Sequence, residues 1–260
     1  FADQNAFVIN AFRHAMAVSA GIRDWYGSPH YEQWTRATRS KNAVLFNGRG
    51  QGTRDLAAKG RITHFISGRH TDFVTGDASQ AYRNVAQKVL RHILFVDRRY
   101  FVMLDEMTST KPSTHQWLLH TPAAMRIDHE AAVANADFGD AGLQVRILAP
   151  SSNKLHISQI DRATPPPQTV ATETPAQWHV TVETNEPSSK REFLTFLRPW
   201  QGTSPTQIPQ LVATTTGHAL RVDSDTILIS EEATNKTVTT TLELIGRAAY
   251  QSSNRVVMVD

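Results

Sequence analysis

The sequence runs to 260 residues, 40% hydrophobic and 20% charged, enough apolar material for one large domain and too much for a disordered or collagen-like chain. The absence of cysteine excludes disulfides, thiolate metal sites and cysteine nucleophiles, and 27 basic against 24 acidic residues, with no block of like charge, make nucleic acid an unforced partner. No apolar run approaches the roughly 18 residues of a bilayer-spanning helix, so neither a nucleic acid nor a membrane is expected as a partner.

In chain order, Phe1 opens the sequence without an initiator methionine or a charged-then-apolar leader, and the chain reads as a piece of a longer protein. Period-two alternation predicts strands at 7–12, 61–67, 142–148, 154–160, 177–183, 191–197, 219–229 and 238–244. The apolar stretches 93–96 and 100–104 are also strand-sized. Turn residues stand between several of these segments: Gly139-Asp140, Pro150–Asn153 and Asn235–Thr237. Ala78, Ala81, Tyr82, Val85, Val89 and Leu90 fall at helical spacing, so periodicity alone predicts a helix over 78–94. Residues 164–175, with Pro165-Pro166-Pro167, predict an exposed polyproline-like loop within one domain spanning 1–260. Many short strands joined by tight turns make the expected class all-β, with antiparallel sheets stacked as a sandwich.

Two motif readings are weak. Gly48-Arg49-Gly50-Gln51-Gly52 follows an apolar segment as a phosphate-binding turn would, but at most seven residues of helix fit before Gly60 and no βαβ alternation follows. Eleven histidines invite a metal, yet His70 with Asp72 and His115 with His120 are not spaced as a diagnostic ligand set. The segment from Asp24 to Arg36 is more informative. Tyr26, His30, Tyr31 and Trp34 stand beside a Gly27-Ser28-Pro29 turn, with Arg36 and Arg39 close by. Aromatic faces stack on sugar rings, and guanidiniums neutralise carboxylates or sulfates, so these six residues are the candidate substrate-binding set. A core with an ordinary surface loop, Trp25 and Trp34 being buried, is the competing reading.

Taken together, Ala2-Asp3-Gln4-Asn5-Ala6-Phe7, Ala20-Gly21, Asp24–His30, Trp34–Arg39 with Asn42, and Gly48–Gln51 resemble the C-terminal domain of heparinase II/III-like polysaccharide lyases. Gly76–Tyr82, Arg91–Phe95 leading into Tyr100–Asp105, and Trp117–His120 look like later landmarks of the same family. The dense likeness covers about 120 residues. The resemblance implies an antiparallel β-supersandwich that packs, in the full enzyme, against an N-terminal (α/α) toroid. It also implies loop and strand, not helix, over 78–94.

The implied activity is β-elimination on an acidic, uronate-containing polysaccharide such as alginate or a glycosaminoglycan, in the periplasm or outside the cell. The family's catalytic residues would precede Phe1, so this chain would contribute one wall of the cleft and be inactive alone, with no cofactor. The family's zinc ligands fall on Phe1, Ser19 and Lys41, which are poor donors, and the resemblance therefore implies loss of the metal, with a Ser–Lys pair filling its place. The alternative is a non-catalytic carbohydrate-binding or structural sandwich that has lost zinc and activity.

Overall fold

The computed structural model describes residues 1–19, 24–168, 177–214, 216–230, 236–238, 243–252 and 255–259. Alternation of side chains builds its centre. The two longest strands, Tyr100–Ser113 and Ser188–Gln201, pair antiparallel from Ser113 opposite Ser188 to Phe101 opposite Leu197. Along them Met103, Met107, Phe193 and Leu197 point to one face, while Tyr100, Val102, Leu104, Leu194 and Phe196 point to the other. Both faces are apolar, so the sheet containing them must be covered twice.

That sheet has eight strands in the order 61–67, 71–77, 86–96, 100–113, 188–201, 141–149, 133–137 and 125–128. A four-stranded sheet, ordered 155–160, 178–184, 115–121 and 44–46, closes the first face through Val44, Phe46, Trp117, Leu119, Ile157, Val180 and Val182. A five-stranded sheet, ordered 210–212, 218–222, 225–229, 248–252 and 255–259, closes the second through Leu220, Val222, Ile227, Ile229 and Tyr250. The result is a three-layer, all-antiparallel β-sandwich, the class the sequence predicts.

Several strands lie where alternation puts them, including Arg61–Ser67, Ala141–Ala149, Leu155–Ile160 and Trp178–Thr184. The helix that periodicity predicts over 78–94 is not formed. Residues 78–85 make two helix-like bonds, Tyr82 N–H to the Ala78 carbonyl and Ala86 N–H to the Tyr82 carbonyl, which is the source of the spacing. Ala86–Val96 is then a strand, because its β-branched residues gain a partner on each side, in Thr71–Asp77 and Tyr100–Ser113. The single strand expected at 219–229 is a hairpin, His218–Val222 and Asp225–Ile229, turning at Asp223 with φ +53°. The strand expected at 238–244 is also a pair, Lys236–Val238 with Glu243–Ile245. Of the proline-rich loop, 164–168 forms no strand, and 169–175 lies outside the described residues.

Candidate functional site

The 24–41 segment is shaped by its own small residues. Gly27 takes φ +86°, a conformation costly for any side chain. The Ser28 hydroxyl accepts the Tyr31 N–H at 3.0 Å, and Tyr31–Thr35 closes as one wide helical turn whose Arg36 N–H bonds the Tyr31 carbonyl. This turn sorts the aromatic residues onto opposite sides. Tyr31 carries Tyr26 edge-on at 4.9 Å and the Arg36 guanidinium at 5.6 Å, and Arg36 is also 3.3 Å from Glu32. Tyr26 is 68% exposed, whereas Tyr31 is buried beneath it. Trp25 is likewise exposed, against the reading that made it core.

His30 turns inward. Its Nδ1–H donates to the Pro165 carbonyl at 2.7 Å, and its Nε2 is buried with no partner among the described residues. The Gln168 N–H donates to Asp24 at 2.9 Å, so the described end of the proline-rich loop is tied to the segment rather than standing free.

Trp34 faces the other way, onto the outer face of the four-stranded sheet. Its ring meets His179 at 4.7 Å and His120 at 6.2 Å, and those two imidazoles are 4.8 Å apart as a cross-strand pair. Together with the exposed Arg39 and the apolar Leu45, Leu118 and Ile160, they line an open pocket of about 250 Å³. Burial pushes His120 down to about 3, with His179 beside it as the second cause, and burial pushes His179 down to about 4. Both are neutral at pH 7. His120 Nε2–H donates to the Arg39 carbonyl at 3.0 Å, which fixes the backbone that carries the Arg39 side chain.

Of the six candidates, then, Tyr26, Tyr31 and Arg36 form one patch, Trp34 and Arg39 form part of a pocket, and His30 is a buried tether. Sequence reasoning passed over His120 and His179 as binding residues. They lie 59 positions apart, and only the strand register brings them together. The available signal is that His120 ends the Trp117–His120 landmark and alternates with inward-facing Trp117 and Leu119, which places it on the outer face. His115 is five residues from His120 on the same strand and therefore points the opposite way, toward Phe46 at 5.1 Å. His70 bonds Asp97 at 2.9 Å, outside any ligand cluster with Asp72.

The segment is anchored from behind by three polar side chains. Gln51 accepts the Gln4 N–H at 2.9 Å and donates to the Gln4 carbonyl at 2.8 Å, while its own N–H bonds Thr38 Oγ1. Gly50 must be glycine, because a Cβ there would lie 2.4 Å from Thr38. The glycine-rich turn is thus a clamp and not a phosphate cradle. Asn42 donates to the Phe7 and Val18 carbonyls and accepts the His120 N–H. Arg91, paired with Asp105 at 2.6 Å in the core, donates to the Asn5 and Asn42 carbonyls.

Phe1, Ser19 and Lys41 converge in this frame. Lys41 Nζ donates to Ser19 Oγ at 3.2 Å and to the Thr35 carbonyl at 3.1 Å, and lies 5.5 Å over the Phe1 ring. Burial pulls the lysine below its ordinary range, with Asp3 opposing. Such a set does not fit zinc. A phenyl ring has no ligand lone pair, a nitrogen engaged as a hydrogen-bond donor has none free, and one serine hydroxyl does not make a site. Among the described residues no group of three or more His, Asp or Glu is placed to hold a metal ion.

A model of the heparinase II/III-like C-terminal domain matches residues 1–242. The chain belongs to this family. Heparinase II/III-like domains of the same fold occur in solved structures. Heparan sulfate lyase HepC from Pedobacter heparinus superposes with a TM-score of 0.67 at 13% identity, over 98% of this chain and 36% of that one. A structure of heparinase III gives a TM-score of 0.68 at 14% identity, over 98% and 35%. The chain therefore spans about a third of the length of these structures, and likeness at such identity carries the fold. No curated protein sequence matches it significantly.

Proposed function

We propose that this heparinase II/III-like domain is the β-sandwich of a lyase that cleaves an acidic, uronate-containing polysaccharide by β-elimination, and that residues 24–41 with the Trp34 pocket form one wall of its cleft. In this reaction a base removes the proton α to the uronate carboxyl. The electron pair forms the new carbon–carbon double bond, the glycosidic C–O bond breaks, and an acid protonates the departing oxygen. This chain's part is to hold the sugar. Arg36 and Arg39 take carboxylate or sulfate groups bidentately, Tyr26 offers a ring for stacking, and neutral His120 and His179 keep the pocket free of competing charge beside Trp34.

The observation that carries this reading is the meeting of Trp34, Arg39, His120 and His179 around an open pocket, with the exposed Tyr26 carried on the other side of the same Tyr31–Thr35 turn. Base and acid would come from an N-terminal (α/α) toroid of the same protein, and the location would be periplasmic or extracellular. The alternative, a non-catalytic glycan-binding domain, is favoured by Lys41 standing in the family's metal position.

The test uses the full-length protein and follows formation of unsaturated uronate by its ultraviolet absorbance. Arg39→Ala and Tyr26→Ala, both at exposed side chains, should raise KM, Arg39→Ala about tenfold as a lost charge-assisted contact and Tyr26→Ala by up to about tenfold as a lost stacking face, with an unchanged melting temperature. An unchanged KM in both would remove the 24–41 wall from the cleft. The 260-residue chain alone should give no turnover, and robust activity from it would place the proton-transfer groups inside this domain.

A further inference from the structure

A separate cavity of about 630 Å³ opens where the hairpin of Ile9–Ala11 and His14–Ala17 meets the turn at 97–99 and the end of Ser188–Gln201. Its volume is that of a small-ligand site, and it shares no residue with the 24–41 segment or the Trp34 pocket.

The walls are aromatic. Phe95 and Phe101 stack face to face, with ring centres 4.2 Å apart and planes 10° apart, and both are only half-buried. Trp200 lines the cavity with its ring laid over Gly142, where a Cβ would come within 2.2 Å of the indole. Phe12 completes the set from the tip of the hairpin, 41% exposed. It holds φ +50° and is followed by Arg13 at +68°, and the facing turn holds Asp97 at +46° and Arg98 at +56°. Turns of this kind favour Asn-Gly, and a phenylalanine in the left-handed region is unfavourable. Backbone strain of that sort persists where the side chain presented has a use.

The polar rim has one fixed pair, one arginine tied to a buried carboxylate behind it, and one uncommitted cation. Arg198 binds Asp223 at 3.1 Å and stacks 5.1 Å over Phe196; Arg99 binds Asp225, which also accepts the Tyr100 hydroxyl at 2.8 Å. Arg98 is exposed and makes no ion pair among the described residues. Planar guanidinium–carboxylate pairs beside aromatic faces suit vicinal sugar hydroxyls, and a free guanidinium suits a carboxylate or sulfate.

We propose that this cavity is a second binding site for the acidic polysaccharide, taking one or two sugar units against Phe12, Phe95 and Phe101 with an anionic group on Arg98. The ligand class rests on the function proposed above; the cavity itself does not. Calorimetric titration of this chain with a heparin-derived tetrasaccharide and a tetrauronate, with maltotetraose as the neutral control, tests it. Arg98→Asn and Phe12→Asn place a residue tolerant of the left-handed region at each turn, so neither should lower the melting temperature.

Each variant should weaken binding at one site at least tenfold and reduce the stoichiometry by one. Loss of a site in Arg98→Asn but not in Arg39→Ala supports the cavity and counts against the 24–41 wall. Loss in Arg39→Ala alone, with Arg98→Asn and Phe12→Asn binding like the parent chain, overturns the cavity and leaves the wall standing. Equal affinity for maltotetraose would overturn the acidic ligand class.

Discussion

Lys41 is held by a hydroxyl, a carbonyl and a ring rather than by a carboxylate, so its position depends on Ser19 and Phe1 remaining beside it. Elemental analysis of protein purified without chelators should find no stoichiometric zinc, and added chelator should leave the melting temperature where it was. Restoring ligand chemistry with the triple variant Phe1→His, Ser19→Asp and Lys41→His should create a site for one zinc per chain and raise the melting temperature with added metal. Stoichiometric zinc in the unaltered protein would show that these three positions are not the family's metal positions.

The buried histidines make a second prediction at this scale. Burial pushes His115, His120 and His179 to about 4, about 3 and about 4, below the unfolded value of roughly 6.5. The unfolded chain therefore binds more protons between those limits. Stability is fully present above the unfolded value and is lost as pH falls toward the folded ones, by about 1.4 kcal/mol per pH unit for each residue. Glu106, whose carboxyl is held low by His92 and Lys88 against the opposing effect of burial, adds to the loss in the same direction at lower pH. Denaturant unfolding across this range should show the slope, and His179→Gln should reduce it by about one residue's share. An unchanged slope would mean that His179 is protonated in the folded protein.

At the scale of elements, the 24–41 segment is no stronger than its tethers. Arg91→Met leaves Asp105 charged in the core and frees the Asn5 and Asn42 carbonyls, so it should cost about 3–5 kcal/mol by denaturant unfolding. A loss under about 1 kcal/mol would mean that the pair is hydrated. Leu155–Ile160 and Trp178–Thr184 were legible as period two because one side of each is drier than the other, whereas Arg61–Ser67 alternates in sequence although both of its faces are exposed. Tyr100–Ser113 and Ser188–Gln201 were legible only in part, since burial on both faces mixes the alternation with continuous apolar runs. The 78–94 region misled because a short helix-like turn and the strand after it share one core. In the site, residue types were readable but directions were not: nothing local told that His30 turns in and Tyr26 out. The pairing of His120 with His179 is a property of register, which no single segment contains.

For the whole molecule, the middle sheet is the organising layer and each outer sheet covers one of its faces. Ending the chain after residue 209 would remove the five-stranded sheet and expose Phe73, Leu94, Val102, Leu104, Leu194 and Phe196 together. A contiguous patch of that kind should render the truncated protein aggregated on size-exclusion chromatography, and a soluble monomer would show that the third layer is dispensable. The buried lysine has a consequence at this scale as well. Carboxylate-rich polymers gather divalent ions around themselves and compete for any that a protein holds loosely. A positive charge covalently attached to the backbone takes no part in that competition, so on the function proposed above the geometry around Phe1, Ser19 and Lys41 would stay the same whether the polymer were starved of metal or saturated with it.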